Sequence, residues 1–302
     1  MALFSTSLLN PTQLPRMLDG VEFYVIECEH VSYPTPDGKP TAPFRACTVL
    51  VSFASGDAER AALLPLRHAL AFGQTSSEVC DGAEWLQKLP KRLLEHLKLA
   101  DHEMVVAVVY AGSGSDSDAE SVQAAVDTLR QCFGASLATL LVVGATSSHR
   151  FDLVKGVSGF VVGANSTNVE TARSVFICLA MLSAPKTLNG IDLFFLEPVF
   201  GTAESPTVLV DAIWLRDGEG RLVLASLPDA HAVRCASHVV AVPLVDGPWS
   251  WSELRRFCEA VRGEAAETAC KIYFAAQEPL APSLLTSRVS MVAILCGQGA
   301  HQ

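Results

Sequence analysis

The chain has 302 residues, of which half are hydrophobic and only 18% are charged. A chain of this length and apolar content can bury one large core or two ordinary ones. Its formal net charge of −10 argues against nucleic acid as a partner, because nucleic-acid binding needs a basic surface that replaces the counterions of the phosphates.

The cysteine usage and the N-terminal residues indicate a cytoplasmic protein. Nine cysteines are spread without C-x-x-C spacing, and several stand inside apolar runs, as is typical of a reducing compartment. The opening residues MALFSTSLL contain no basic region followed by a long apolar stretch, and the longest apolar runs are much shorter than a membrane span. We therefore predict a cytoplasmic location and no direct membrane insertion.

The first part of the chain alternates strand and helix patterns. Its strand patterns are short apolar runs at 20–29, 45–53, 105–110, 137–143 and 159–165. Its helical patterns are at 85–97, 119–133 and 170–182, the last being largely apolar. This alternation predicts a parallel sheet with helices on both faces.

After about residue 185 the pattern changes to strand-like segments with two helical stretches, at 229–242 and 251–262. The strand-like segments are DLFFLEPVF, TVLVDAIWL, GRLVLASL, ACKIYFAA and SRVSMVAILCG. We therefore predict an α/β fold with a parallel-sheet, Rossmann-like N-terminal domain (1–170), a central helix (171–190) and a smaller α+β C-terminal domain (191–302).

One loop in the first part is a candidate anion site. The stretch MVVAVVYAGSGSDSDAES runs from a buried strand through small residues into a helix. Such a junction presents free backbone N–H groups at a helix N-terminus, where an anion is favoured. The loop matches neither a Walker A motif nor G-x-G-x-x-G, so a tight strand-to-helix turn is the alternative interpretation.

Several segments resemble the FtsZ/tubulin family, and they occur in the family's order. They are NPTQLPRMLDGVEFYVIECE (10–29), the stretch 93–143 around the small-residue loop, GVSGFVVGANSTN (156–168), SVFICLAMLSAPKTLNGIDLFF (174–195) and SRVSMVAILCG (287–297). The resemblance implies an FtsZ/tubulin-like fold that binds GTP. It also implies head-to-tail assembly, in which a loop of one subunit reaches the nucleotide of the next and completes the GTPase site.

The resemblance implies that a set of small and polar residues surrounds the nucleotide. Together with Arg150, which follows a strand end and could take a phosphate, the candidate nucleotide-binding residues are Gly73, Ala111, Gly112, Ser113, Gly114, Ser115, Ser117, Arg150 and Asn165. The amide of Asn165 could pair with a guanine edge. A turn-forming Asn165 and an exposed loop at Arg150 are the alternatives. The cofactor would be GTP, with Mg²⁺ only where the nucleotide binds.

The departures from the family pattern fall on the phosphate-binding loops. The family's early glycine-rich loop is missing or rebuilt, because ALFSTSLLNPTQ contains no glycine, and the signature loop carries Asp116 and Asp118. Two unit charges about 4 Å apart repel by roughly 4 kcal/mol at an effective dielectric near 20. That repulsion offsets several backbone hydrogen bonds to a phosphate, although Mg²⁺ bridging an aspartate and a phosphate is an alternative.

The candidate catalytic loop differs most from the family pattern. The family's Asn-x-Asp-x-x-Asp loop orients the attacking water, and the nearest match is LVDAIW (209–214), in which only Asp211 keeps an acid. The surrounding stretch TVLVDAIWLRDGEGRLVLAS also predicts a β-hairpin that turns at 217–220. The histidines show no H-x-H or H-E-x-x-H spacing, so we predict no metal site.

These observations predict a degenerate FtsZ/tubulin-like protein, a pseudo-GTPase of the cytoskeleton or of cell division with little or no GTP hydrolysis. It would act by contact with itself or with an FtsZ-type filament protein. One alternative is a GTP-binding GTPase or switch that still polymerises. A second alternative is an unrelated α/β enzyme that acts on a phosphate-bearing substrate at 112–117.

The acids of the small-residue loop give a first test. Replacing both of them, Asp116→Gly with Asp118→Gly, should create or strengthen GTP binding, because the change removes the repulsion of phosphate. Calorimetry with and without Mg²⁺ measures the effect. Weaker binding in the double variant would instead assign the two acids to a bound metal ion.

Overall fold

The computed structural model describes residues 22–30, 44–53, 57–59, 61–63, 104–112, 119–133, 137–144, 151, 153–164, 167–182, 199–216, 218, 222–227, 229–244, 251–265, 271–274 and 290–298. In these ranges the strands are β1 (Glu22–His30), β2 (Phe44–Ser52), β3 (Met104–Tyr110), β4 (Leu137–Val142), β5 (Gly159–Gly163), β6 (Thr207–Arg216), β7 (Leu222–Ser226), β8 (Ala236–Leu244), β9 (Lys271–Phe274) and β10 (Ser290–Gln298). The helices are α1 (Ala119–Phe133), α2 (Asn168–Leu182), α3 (Ala230–Cys235) and α4 (Trp251–Glu264). Residues 57–59 and 61–63 are also helical.

The ten strands of the described ranges form one mixed sheet, in the order β1-β2-β3-β4-β5-β6-β10-β8-β9, with β7 paired to β6. Strands β2 to β6 are parallel, and β10 lies antiparallel between β6 and β8. Strands that are buried on both faces contain nearly continuous apolar runs, which is why β2, β3 and β4 are readable in the sequence. The predicted α/β class with a parallel, Rossmann-like sheet is confirmed.

Helices cover both faces of this sheet. Side chains alternate along each strand, and one face, which includes Val109 and Val210, packs in a single core cluster with α1, α3 and α4. The opposite face carries Asp211 and packs against α2, in which Phe176 is fully buried. No helix in the described part of the chain is long and apolar enough to cross a membrane.

The sheet continues across the boundary that we predicted between two domains. Strands β5 and β6 pair in parallel, with Val161 opposite Thr207 and Gly163 opposite Leu209. The strands predicted for the C-terminal domain therefore extend the sheet of the N-terminal one. The division into 1–170, 171–190 and 191–302 stays a prediction.

One predicted helix is wrong over most of its length. The helical stretch expected at 229–242 contains only α3, since Ala236 is already extended with φ −72° and ψ 136°, and β8 begins there. Its valines lie in a strand paired on both edges, to β10 and β9, and β-branched side chains favour such a position. The helix predicted at 85–97 lies outside the described residues, as do residues 1–9, for which the sequence left open whether they form a first strand.

Gly201 lies where the chain that leads into β6 folds back on itself. A Cβ at this position would stand 2.5 Å from the backbone N of Thr207 and would collide with the carbonyl oxygen of Ser205. The N–H of Gly201 donates to Thr207 Oγ1 (2.8 Å) and its carbonyl accepts from the N–H of Phe160 (2.9 Å). These bonds hold both sides of the close approach, so the backbone has little room to move.

Gly201→Ala should therefore destabilise the protein by about 1–3 kcal/mol, the usual cost of forcing extra volume into a packed site. Gly218→Ala is the matched control, because nothing lies within 4 Å of its Cβ position, and it should change stability by less than about 0.5 kcal/mol. Urea unfolding measures both values. Equal stability of the two variants would contradict the close approach at Gly201.

Candidate functional site

The predicted phosphate loop begins at the carboxyl end of β3. Ala111 is buried, and its N–H donates to the carbonyl of Val142 (3.3 Å), which places it level with the end of β4. Gly112 has φ +81°, a left-handed conformation that glycine adopts at little cost. The chain thus leaves the end of β3 at a glycine in a left-handed conformation.

The other predicted nucleotide-binding residues lie outside the described ranges. They are Gly73, Ser113, Gly114, Ser115, Ser117, Arg150 and Asn165, and the two loop acids Asp116 and Asp118 are outside as well. Their roles, and those of Ala111 and Gly112, stay predictions.

The segment that contains the candidate catalytic acid is a β-hairpin. Strands β6 and β7 pair antiparallel, with Arg216 opposite Leu222 and Leu215 opposite Val223. The hairpin interpretation of 207–226 is therefore confirmed. Asp211 stands in the middle of β6, opposite Ala293 of β10.

Asp211 and Gly112, the last described residue before the predicted phosphate loop, belong to strands that are not neighbours. Two strands, β4 and β5, separate β6 from β3. Neighbouring strands are about 4.8 Å apart, so Gly112 and Asp211 belong to strands about 14 Å apart. Within one chain, Asp211 and the start of the predicted phosphate loop are therefore separated along the carboxyl edge of the sheet by the width of two intervening strands.

Asp211 instead lies beneath α2, near two charged side chains. Glu170 and Arg173 both act electrostatically on its carboxyl group, and we call Glu170, Arg173 and Asp211 the carboxyl-edge cluster, because Asp211 lies just beyond the carboxyl end of β5. The guanidinium of Arg173 also donates to the carbonyl of Ala62 (3.0 Å). The cluster thus connects α2 to β6 and to the helical residues 61–63.

Glu170 closes the first turn of α2. Its Oε2 accepts hydrogen bonds from the N–H (3.0 Å) and the hydroxyl (2.8 Å) of Thr167, and its own N–H donates to Thr167 Oγ1 (3.4 Å). This reciprocal pair is a capping box. The backbone and hydroxyl bonds from Thr167 lower the pKa of Glu170, burial opposes them, and Arg173 lowers it further. The helix N-terminus therefore already holds a carboxylate.

Burial dominates the chemistry of Asp211. Its Oδ1 is buried and has no hydrogen-bond partner in the structure as described. Burial raises the pKa of Asp211 to about 6, while the positive charge of Arg173 lowers it and the negative charge of Glu170 raises it. Burial also raises the pKa of the neighbouring Cys178 thiol well above its usual range. Burial therefore favours the uncharged form of both groups.

The cluster can change its charge near neutral pH, because the pKa of Asp211 is raised to about 6. One oxygen of its carboxyl group, Oδ1, is shut off from solvent, whereas the residue as a whole is half-buried. Within the described residues, no group of three or more His, Cys, Asp or Glu side chains could hold a metal ion. The arrangement is therefore an electrostatic link between α2 and β6.

Sequence reasoning selected Asp211 and missed its partners. Two signals were available: the spacing Thr-x-x-Glu at 167–170 is that of a capping box, and Arg173 is the basic residue of a helix that is largely apolar after its first turns. Such a residue has to find a partner, because an unpaired buried charge is costly.

The chain was compared with protein families, curated proteins and solved structures. No family model matches it, and no curated protein matches it. It is similar to an empty FtsZ dimer from M. jannaschii, with 12% identity and a TM-score of 0.42 over 72% of this chain and 69% of that chain. It is also similar to a W319Y mutant of the same FtsZ, with 12% identity and a TM-score of 0.41 over 70% of each chain. A third similar structure is CetZ from Methanosaeta thermophila, with 11% identity and a TM-score of 0.39 over 72% of this chain and 67% of the CetZ chain.

The raised pKa of Asp211 should make the folded protein less stable as the pH rises. Its folded pKa of about 6 lies above the ordinary value of 3.8, so the folded state holds the proton more tightly than the unfolded state does. The resulting stabilisation is complete below the unfolded pKa and is lost as the pH rises through the folded one. At about 1.4 kcal/mol per pKa unit, the loss is at most roughly 3 kcal/mol.

Asp211→Asn cannot titrate, so its unfolding free energy relative to the wild type should increase between about pH 4 and about pH 7. Glu170, whose pKa shift has the opposite sign, is present in both proteins and largely cancels in the comparison. Glu204→Gln, which changes an exposed acid, is the control and should show no such trend. Urea unfolding across this pH range measures the difference, and a constant difference would contradict the shift.

Proposed function

We propose that this protein is a degenerate FtsZ/tubulin-like protein with little or no GTP hydrolysis, which acts by contact with itself or with an FtsZ-type filament protein. The observation that carries the proposal is the position of Asp211 inside β6. A catalytic acid that completes the site of a neighbouring subunit has to extend from a loop. The acid available here is inside a strand and beneath a helix.

The pairing of β6 resists any movement of Asp211 toward a neighbour. Residues Val208 to Trp214 pair with β10, and Thr207 to Leu209 also pair with β5. If this segment left the sheet as a loop, its hydrogen bonds to β5 and β10 would break. Each lost bond would cost about 1 kcal/mol of net stability. It would also bring the buried Val210 and Ala212 into water, at about 25 cal/mol per Å² of apolar surface.

The charges at the carboxyl edge of the sheet also oppose a triphosphate. Glu170 occupies the first turn of α2, and the sequence places Asp116 and Asp118 in the loop that follows Gly112. A nucleotide would add further negative charge to this edge and would be repelled. This distribution supports a site that has lost tight GTP binding.

One exposed and well-fixed turn supports action by protein contact. Leu153 is 85% exposed, although its neighbours Phe151 and Val154 are buried. The side-chain amide of Gln123 donates to the carbonyl of Lys155 (3.2 Å) and accepts from its N–H (2.6 Å). A turn that is already held in place loses little conformational freedom when a partner covers it. Leu153 is therefore a candidate contact residue.

The hydrolysis half of the proposal is tested by phosphate release. Wild-type protein with GTP and Mg²⁺ should release no phosphate above the buffer level. The assay is run at two protein concentrations, one at which sedimentation shows monomers and one at which it shows association. Asp211→Asn should behave identically, because the acid does not act on the nucleotide. Release by the wild type that Asp211→Asn abolishes would contradict the proposal and favour a polymerising GTPase.

The contact half is tested by sedimentation, alone and together with an FtsZ-type filament protein. We expect the chain to associate with itself or with the filament protein. Leu153→Asp should weaken this association, because it places a charge in the contact. Val223→Asp, which changes another exposed apolar residue on β7, is the matched control and should leave association unchanged. A chain that associates with neither would overturn this half of the proposal.

A further inference from the structure

The guanidinium of Arg173 holds a segment of the chain that lies outside the carboxyl-edge cluster. Its Nη1 donates to the carbonyl oxygen of Ala62 at 3.0 Å, in the helical residues 61–63 that follow β2 along the chain. Burial lowers the pKa of Arg173 and the charges of Glu170 and Asp211 raise it, but a guanidinium stays protonated in proteins. A charged donor therefore ties Ala62 to α2.

Asp211 offers the same guanidinium a second acceptor. Its buried Oδ1 has no hydrogen-bond partner in the structure as described, and Arg173 is the positively charged side chain that acts on it. A neutral carboxyl group leaves one oxygen unpaired at a modest cost, whereas a buried carboxylate without a partner is costly. The observed arrangement, with Arg173 bonded to Ala62 and Oδ1 unpaired, is therefore the one that suits protonated Asp211.

The other titratable groups of α2 do not compete for this role. Glu170 acts on Asp211 with a negative charge, and its own carboxylate already accepts two hydrogen bonds from Thr167. The Cys178 thiol stays neutral, because burial and the nearby Asp211 both raise its pKa. Arg173 is thus the group of α2 that can compensate an ionised Asp211.

The strands on either side of Asp211 bring no charge to it. Asp211 lies opposite Ala293 of β10, and β5 ends at Gly163, level with Leu209. In the segment near Ala62, the carboxylate of Glu59 is directed to β3, where it accepts a hydrogen bond from the hydroxyl of Tyr110 (2.7 Å). Proton loss from Asp211 therefore acts first on Arg173.

We propose that Arg173 exchanges between two acceptors as Asp211 gains or loses a proton. It holds the carbonyl of Ala62 while Asp211 is protonated, and it turns to the carboxylate when the proton passes to solvent. The helical residues 57–59 and 61–63, which we call the strap, then lose their bond to α2. Asp211 is half-buried rather than sealed, so its proton can exchange with water.

This exchange loosens the strap without unfolding the protein. Leu63 is fully buried and Glu59 stays bonded to Tyr110, so two anchors remain when the bond from Arg173 is lost. Tyr110 is two residues before Gly112, so the strap is attached at the start of the small-residue loop. The device makes the mobility of this edge depend on pH, and it requires neither a nucleotide nor a filament partner.

Amide hydrogen exchange of the full-length chain measures the hold on the strap. The folded pKa of Asp211 is about 6, so the proton is bound at about pH 5 and mostly lost at about pH 7. After correction for the chemical exchange rate, protection of the strap should fall about tenfold between these pH values, the effect of losing one hydrogen bond from a charged donor. Low concentrations of urea should not change this exchange, because a local opening exposes little surface.

Three variants assign the effect. Asp211→Asn cannot ionise and should keep the strap as protected at pH 7 as at pH 5. Arg173→Gln lacks the charged donor and should leave the strap poorly protected at both pH values. Glu59→Gln is the matched control, because it removes a charge from the strap itself but keeps an acceptor for Tyr110, and it should show the wild-type dependence on pH.

Equal protection of the wild-type strap at the two pH values would overturn the proposal. So would a fall that persists in Asp211→Asn, a fall that Glu59→Gln abolishes, or strap exchange that urea accelerates as strongly as that of α1, which would indicate global unfolding. The comparison of the wild type with Asp211→Asn decides the matter even where Arg173→Gln does not fold.

Discussion

Strand β6 is hydrogen-bonded along both of its edges, in parallel to β5 and antiparallel to β10. This double pairing joins the parallel half of the sheet to the antiparallel half, and it fixes which way each side chain of β6 points. Val210 enters the core shared with α1, α3 and α4, whereas Asp211 is directed beneath α2. The chemistry at the carboxyl edge follows from this one constraint.

The carboxyl-edge cluster shows how burial and pairing compete. Burial raises the pKa of Asp211 and the charge of Arg173 lowers it, but burial prevails. Two carboxyl groups act on one guanidinium, which also donates to the carbonyl of Ala62. A buried ionisable side chain such as that of Asp211 destabilises the fold unless hydrogen bonds or an opposite charge compensate its lost hydration. Its most direct consequence is a link between α2 and β6 that depends on protonation.

The described surface carries two features that the nucleotide question does not involve. The turn at Leu153 is held by the amide of Gln123, and the pair His231 and Cys235 is presented by a helix anchored through Ala232 and Val233. In both cases buried neighbours hold an exposed group in one conformation. Preorganisation of this kind reduces the entropic cost of binding a partner.

Local sequence was enough to predict most elements, because the parallel strands are buried on both faces and contain continuous apolar runs, and because α1 has a clear helical period. It was also enough to predict the hairpin of β6 and β7, whose turn residues are polar and rich in glycine. It was not enough at 236–244. There the valines fit either a helix or a strand locally, and pairing with β10 and β9 decided for a strand.

The amino-acid sequence by itself determined the fold class, the apolar strands, the two acids of the small-residue loop and the lack of glycine in ALFSTSLLNPTQ. Tertiary structure alone decided that Asp211 meets Glu170 and Arg173, and that His231 and Cys235 face solvent as a pair. The physical reason is that a strand's partners and the face that a helix buries depend on contacts between residues far apart in the chain. Local pattern specifies what each segment can become, and packing specifies which side chains then meet.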